Sequence, residues 1–565
     1  MLRTLACLIM VLCLSPLWGA QAQQEQNEWL SQSDQTLADP EEAVDIVLTG
    51  ESLLIDQPGV YRLSGTIENG SVTVRPEQEE KVWLLLDGVT VHNENGAALL
   101  SDGADKLILT LAEGSVNTFS QGAGEPTAED NDAAIFSRDD LTINGSGALV
   151  VEGLYRDGIN CRDSLRVVSG SLTVTALEDA VVGKDEVTLC GGDLTVVAQE
   201  GDAIKSTNDE DADRGFVVVS GASVSVTTGG GGAASAQRTA GGGWGGWTAQ
   251  NGDDASQKGL KAETRLIVES GTIVADTVDD ALHCNADVAI SGASLTLSSG
   301  DDAVHADNAL TVSGGSIRVL DSYEGLEGAV LTLSGGEISI VSSDDGINGA
   351  GGDDASAAED GSWAGSAGRF GRDRFSSSTG SLAISGGVIT VQAGGDGIDV
   401  NGSITFSGGE LYVYSTGQGD GALDYDGSFA MTGGTLLAAG PAGMAMSVSE
   451  PGVPGTAQAV SGSGAVEVVD AGGQTLARFE VPGAYSHVVV YSDSLIDGQT
   501  YTLSLGETAM EVTMTTQAQN NTGFGGGGRG GTRNGMPGDP PANQPEDAPD
   551  MPQDWPDMPQ GGPSL

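Results

Sequence analysis

The chain has little of what many folds are built from. Aromatic residues are 4% of its 565 residues, so any core has to come from Val, Ile, Leu and Ala. Cysteine occurs five times, and two of those, Cys7 and Cys13, lie in an N-terminal apolar run. The remaining three, Cys161, Cys190 and Cys284, lack the tight spacing of a zinc site or a disulfide framework. Basic residues number 23 against 80 acidic ones, a net charge of -57. That balance argues against nucleic acid and anionic membrane surfaces, which are held by basic side chains. It suits a cation-binding or strongly solvated protein. Beyond the N-terminus no apolar run of about 18 residues occurs, so no membrane span is expected. No segment has a helical period.

The N-terminus sets the expected compartment. Arg3 precedes "LACLIMVLCLSPLWG", and Ala20 to Ala22 have the small-x-small form of a cleavage site. Residues 1–22 therefore read as an export signal, and the mature protein is expected to be secreted and extracellular.

What the sequence does have is a repeated phrase. "DALHCNADVAISGASLTL" starts at Asp280 and "DAVHADNALTVSGGSIRV" at Asp302, 22 residues on. Related phrases start at Asp132, Asp157, Asp179, Asp202, Lys258, Glu324, Asp345, Asp396 and Gly421. A fixed period of this length means stacked units sharing a continuous core. Inside each unit, L-x-V and I-x-V alternate with a period of two around a Gly pair, the pattern of short strands joined by turns. The expected fold is all-β: a right-handed, single-stranded parallel β-helix over residues 45–440, with coils of about 22 residues stacked about 4.8 Å apart.

Stacking places residues one period apart directly over one another. The residue after the aliphatic defines one column: Asn160, Lys205, Lys261, His283, His305, Glu327, Asn348, Asp399 and Asp424. The preceding acids define a second: Asp157, Asp179, Asp202, Asp280, Asp302, Glu324, Asp345 and Asp396, with Asp279, Asp301 and Asp344 beside them. A polar stripe is thus expected on the outer face of one edge, with His283 stacked on His305. Insertions at residues 229–257 and 349–379, rich in Gly, Ala and Ser, read as long loops. Their Trp244, Trp247, Trp363 and Phe370 could stack on sugar or fold back onto the rod. Residues 441–516 read as a small β-rich cap. Residues 517–565 read as a disordered tail that holds nine of the 18 prolines.

The ordered phrases "KGLKAE", "DDALHCN", "DDAVHADNALTVSGGSI", "SYEGLEG" and "DDGINGAGG" resemble the secreted carbohydrate-binding β-helix family of cellulolytic clostridia. The upstream "VWLLLDGVTV" and the later "LIDGQTYTLSL" resemble it too, so the likeness runs over about residues 45 to 510. The resemblance implies calcium-supported binding of acidic sugars such as polygalacturonate, the backbone of pectin. It also implies a fold similar to some pectate lyases, without general lyase activity. Cys284 inside the histidine phrase and the Trp/Gly-rich loops depart from the family pattern.

Three chemistries remain open on the residues themselves. Carboxylates stacked about one strand spacing apart repel one another unless a cation sits between them. Calcium accepts six to eight such oxygens, which makes Asp279, Asp280, Asp301, Asp302, Glu324, Asp344 and Asp345 candidate metal ligands. The plainer alternative is that each Asp accepts hydrogen bonds from turn amides. For an acidic polysaccharide, the candidate contacts are His283, His305, Glu327, Asn348, Lys205 and Lys261. A calcium-dependent lyase would need a base, for which Lys205 or Lys261 could serve, unless those lysines only neutralise the acid stripe. An acidic adhesin or matrix solenoid with no glycan ligand is the third reading.

Overall fold

The computed structural model describes residues 28–77, 80–126, 132–232, 256–349, 380–417 and 419–519. All of these fall in one compact unit, Met1–Gly523. The expected export signal, most of both insertions with their four aromatic residues, and almost all of the Pro-rich tail lie outside the described residues.

The described chain is almost entirely β. Its strands stack in parallel, each coil on the next, in three columns that make a β-solenoid. The column that matters most here consists of very short strands, among them Ile204–Ser206, Leu260–Ala262, Leu282–Cys284, Ile347–Gly349 and Ile398–Val400. Leu282 pairs with Val304, and Val304 with Leu326. Register also survives both insertions, since Ile204 pairs with Leu260 and Ile347 with Ile398.

Alternation puts one face of each strand inside. Leu260, Leu282, Val304, Leu326, Ile347 and Ile398 stack fully buried along the axis. Each such side chain contributes roughly 1.5–3 kcal/mol through burial. Cys161 and Cys284 belong to the same inner layer, and among the described residues no disulfide is formed. The Gly pairs have a definite cause. Gly315 has φ +86°, and a Cβ there would lie 2.5 Å from the Ala293 carbonyl oxygen of the coil beneath. Gly387 repeats this with φ +87° and Gly336 O at 2.8 Å. Close backbone approach at a left-handed residue leaves room only for hydrogen.

Two features differ from the sequence expectation. The coils are not uniformly three separate strands, because Phe216–Thr228 and Arg265–Asp276 each run through two columns. They bend at Gly221 and Gly271, whose positive φ lets the ladder continue past a register shift. A one-turn helix, Gln32–Gln35, precedes the solenoid and is closed by a capping box between Ser31 and Asp34. Asp34 is buried against the second column, where it meets Lys106 Nζ at 2.7 Å and Thr142 Oγ1 at 2.6 Å. After the last parallel coil, Thr435–Gly440 pairs antiparallel with Ala484–Ser492, which covers an otherwise open sheet edge. A separate four-stranded antiparallel sheet is formed by Val466–Val469, Thr475–Phe479, Thr500–Leu505 and Thr508–Thr513.

Candidate functional site

Each short strand offers inner, outer and inner side chains in turn. The outer positions form one ladder: Asn160, Val182, Lys205, Lys261, His283, His305, Glu327, Asn348, Asp399 and Asp424. Every expected sugar-contact residue lies on it. The His283 and His305 rings stack with centroids 4.8 Å apart and planes 11° from parallel.

Their exposure corrects the sequence reading. Both histidines are 1% exposed, and Lys261 and Asn348 are also buried. Asn285 Oδ1 lies 2.7 Å from His283 Nε2, and Asp307 Oδ1 2.9 Å from His305 Nε2. These neighbours, two residues beyond each histidine, fold back over the ring edges. Alternation assigns a side chain to the outer face but does not say what covers it.

The acid column does what the plainer alternative required. Asp157, Asp179, Asp202, Asp280, Asp345 and Asp396 each accept, through one carboxylate oxygen, the backbone N–H at the matching position one coil on. The distances run from 2.5 Å at Gly421 N to 3.3 Å at Asp179 N. A charged acceptor on a backbone donor is a strong hydrogen bond. One oxygen of each carboxylate is thereby committed to coil stacking, and the other remains for a cation or a partner.

Lysines neutralise the middle of the edge. Lys258 occupies the acid position of its own coil and is fully buried. Its Nζ donates to Asp279 Oδ1 at 3.0 Å and Asp280 Oδ2 at 2.8 Å. Burial alone would raise the Asp280 carboxyl, but Lys258 and His283 outweigh it and hold Asp280 well below the usual carboxylate range. Lys205 Nζ stands 2.7 Å from Asp179 and 3.5 Å from Asp202.

Downstream the edge changes character. Burial and the charge of Glu327 push Glu324 up to about 9. Burial and Asp344 push Asp345 up to about 7. Burial, with Asp345 and Asp424, raises Asp396 to about 8, and burial with Asp424 raises Asp399 to about 6. These side chains are half-buried rather than enclosed. Among the described residues, none of them forms an ion pair with lysine or arginine. Asn348 Nδ2 donates to Glu324 at 2.6 Å, while Asn348 Oδ1 is buried without a hydrogen-bond partner.

Three groups bring ligand atoms within 4.8 Å of one another: Asp279, Asp280 and Asp301; Asp280, His283 and His305; Asp302, His305 and Glu327. The first is the all-oxygen set that calcium favours, although Lys258 shares two of its carboxylates. The structure does not gather Glu324, Asp344 and Asp345 into such a group, and Asp302 joins a histidine-containing set instead. Sequence reasoning missed Asn285 and Asp307 as partners of the histidines. The shared spacing of "HCN" and "HAD" was the available signal.

Comparison with known proteins adds a class. Residues 49–303 match the family model described as carbohydrate-binding domain-containing protein. A protein of that description from Acetivibrio thermocellus is 34% identical over 126 residues, 22% of this chain and 44% of its own length. The chain thus spans less than half the length of that relative. A solved structure, titled as the polysaccharide lyase-like protein from C. thermocellum in a gadolinium derivative, is 25% identical. It covers 47% of this chain and 88% of its own, with a TM-score of 0.34.

Proposed function

We propose that this protein is exported and binds an acidic polysaccharide of the polygalacturonate type, with calcium bridging the two polyanions, and does not cleave it. The match of residues 49–303 to a carbohydrate-binding family model is the observation that carries the reading. The downstream edge supports its finer part. There Asp344, Asp345, Asp396, Asp399 and Asp424 line successive coils, half-buried and without basic partners among the described residues. Carboxylates raised by burial and mutual repulsion are relieved by a divalent cation, and calcium accepts further oxygens from a ligand. An open edge spanning several coils suits a polymer chain.

Affinity electrophoresis in gels containing polygalacturonate tests this reading. The protein is retarded with calcium and migrates freely with chelator, and no absorbance from unsaturated uronate products develops. Product absorbance lost in Lys205→Ala or Lys261→Ala would make the protein a lyase. Equal mobility with and without the polymer would remove acidic-glycan binding and leave the matrix-solenoid reading.

A further inference from the structure

The repeat supplies its own control for the stacked histidines. In the first copy, His283 Nδ1 faces one carboxylate oxygen, Asp280 Oδ2 at 2.8 Å, and Lys258 Nζ meets that same oxygen at 2.8 Å. Its Nε2 faces the neutral Asn285. In the second copy every one of these terms becomes more negative. His305 Nδ1 faces two carboxylate oxygens, Asp302 Oδ2 at 3.0 Å and Glu327 Oε2 at 2.8 Å. Its Nε2 faces a third, Asp307 Oδ1 at 2.9 Å. Among the described residues, no lysine or arginine pairs with Asp302, Glu327 or Asp307.

One ring nitrogen carries at most one proton, so it cannot donate fully to two carboxylates. A ring that is 1% exposed has no bulk water to make up the difference. The space between Nδ1, Asp302 and Glu327 is therefore one that a cation fits, and their ligand atoms lie within 4.8 Å of one another; in the earlier copy the cation at the Asp280 carboxylate is Lys258. We propose that His305 Nδ1, Asp302 and Glu327 bind a divalent transition-metal ion of the zinc class. Asp307 accepts the Nε2 proton, which leaves Nδ1 bare and oriented, the usual support of a metal-bound histidine.

The donor set decides the metal. A ring nitrogen with two carboxylates suits zinc, cobalt or nickel, whereas calcium prefers oxygen alone. Zinc bonds of about 2.0–2.2 Å separate tetrahedral ligands by roughly 3.4 Å. The 2.8 and 3.0 Å pairs must therefore open by about half an ångström, within reach of side-chain torsions. Glu327, whose side chain is 16% exposed, marks the open side, where water or a ligand oxygen completes the shell.

The test is calorimetric titration of chelator-stripped full-length protein with zinc in excess calcium, with cobalt(II) visible spectra as a second readout. One equivalent is expected to bind, giving cobalt bands that zinc abolishes. His305→Gln removes the site, and Glu327→Gln weakens it by at least about tenfold. No binding in excess calcium overturns the proposal. So does wild-type binding by Glu327→Gln, the variant that decides if His305→Gln does not fold by circular dichroism. Neither readout depends on glycan binding, so this proposal and the glycan reading fail separately.

Discussion

Replacing Lys258 with methionine removes a cation that Asp279 and Asp280 share, while keeping the length of a fully buried side chain. Breaking a buried pair from one side strands the remaining charge and costs about 3–5 kcal/mol. Because a solenoid opens locally, the loss should appear at the neighbouring coils. The amides of Leu260 and Leu282, which donate to Ala281 and Ala303, report it. Their hydrogen exchange in chelator should accelerate by roughly a hundred- to a few-thousand-fold. Calcium and Lys258 compete for the same carboxylates, so calcium should restore part of the loss. At a hundredfold excess over Kd the recovery is about 2.7 kcal/mol. Adding Asp280→Asn to the methionine variant should also recover stability. Unchanged exchange in Lys258→Met, or the same loss with and without calcium, would refute the reasoning.

Other outcomes follow from the same geometry. Glu324, Asp345, Asp396 and Asp399 have folded values raised to between about 6 and about 9, so their charged forms are disfavoured in the folded state. Their contribution is complete below the unfolded carboxylate range, about pH 4, and is lost as pH rises from there through the folded values. Melting temperature in chelator should therefore fall between about pH 4 and 9, and calcium should flatten the decline. At the acid end, hydrogen bonds to Lys106, Ser31 and Thr142 outweigh burial and hold Asp34 at about 2, so its contribution disappears as pH falls toward that value. Acid melts of wild type and Asp34→Asn should then converge. Gly315→Ala should destabilise by roughly 1–2 kcal/mol or more in chemical denaturation, from the left-handed backbone alone. Asp301→Asn should reduce the rise in melting temperature that calcium produces, because it removes one member of an all-oxygen set.

Stacking was legible in the sequence because a parallel solenoid turns period directly into register. That is why His283 lies over His305 and Asn348 between Glu327 and Asp399. Accessibility was not legible. It depends on Asn285 and Asp307 closing over the rings, and on Lys258 crossing to the next coil's aspartates. The merged strands at Gly221 and Gly271 were missed because a bend at positive φ leaves the hydrophobic alternation intact. The helix at Gln32–Gln35 was missed because four residues are too few to show a period, although Ser31 and Asp34 carry a capping signal. The division of the acid stripe into a lysine-neutralised middle and a downstream edge without basic partners among the described residues depends on distances across coils. Composition alone could not reveal it.

The central claim is that calcium on the downstream acid edge carries the glycan. Calorimetry of a homogalacturonan oligomer against wild type and an Asp345→Asn, Asp396→Asn, Asp399→Asn variant, each in calcium and in chelator, tests it most directly. The account predicts binding by wild type in calcium only, and a loss of at least about tenfold in the variant, about 1.4 kcal/mol. Equal affinity of variant and wild type, or wild-type binding that persists in chelator, would contradict it.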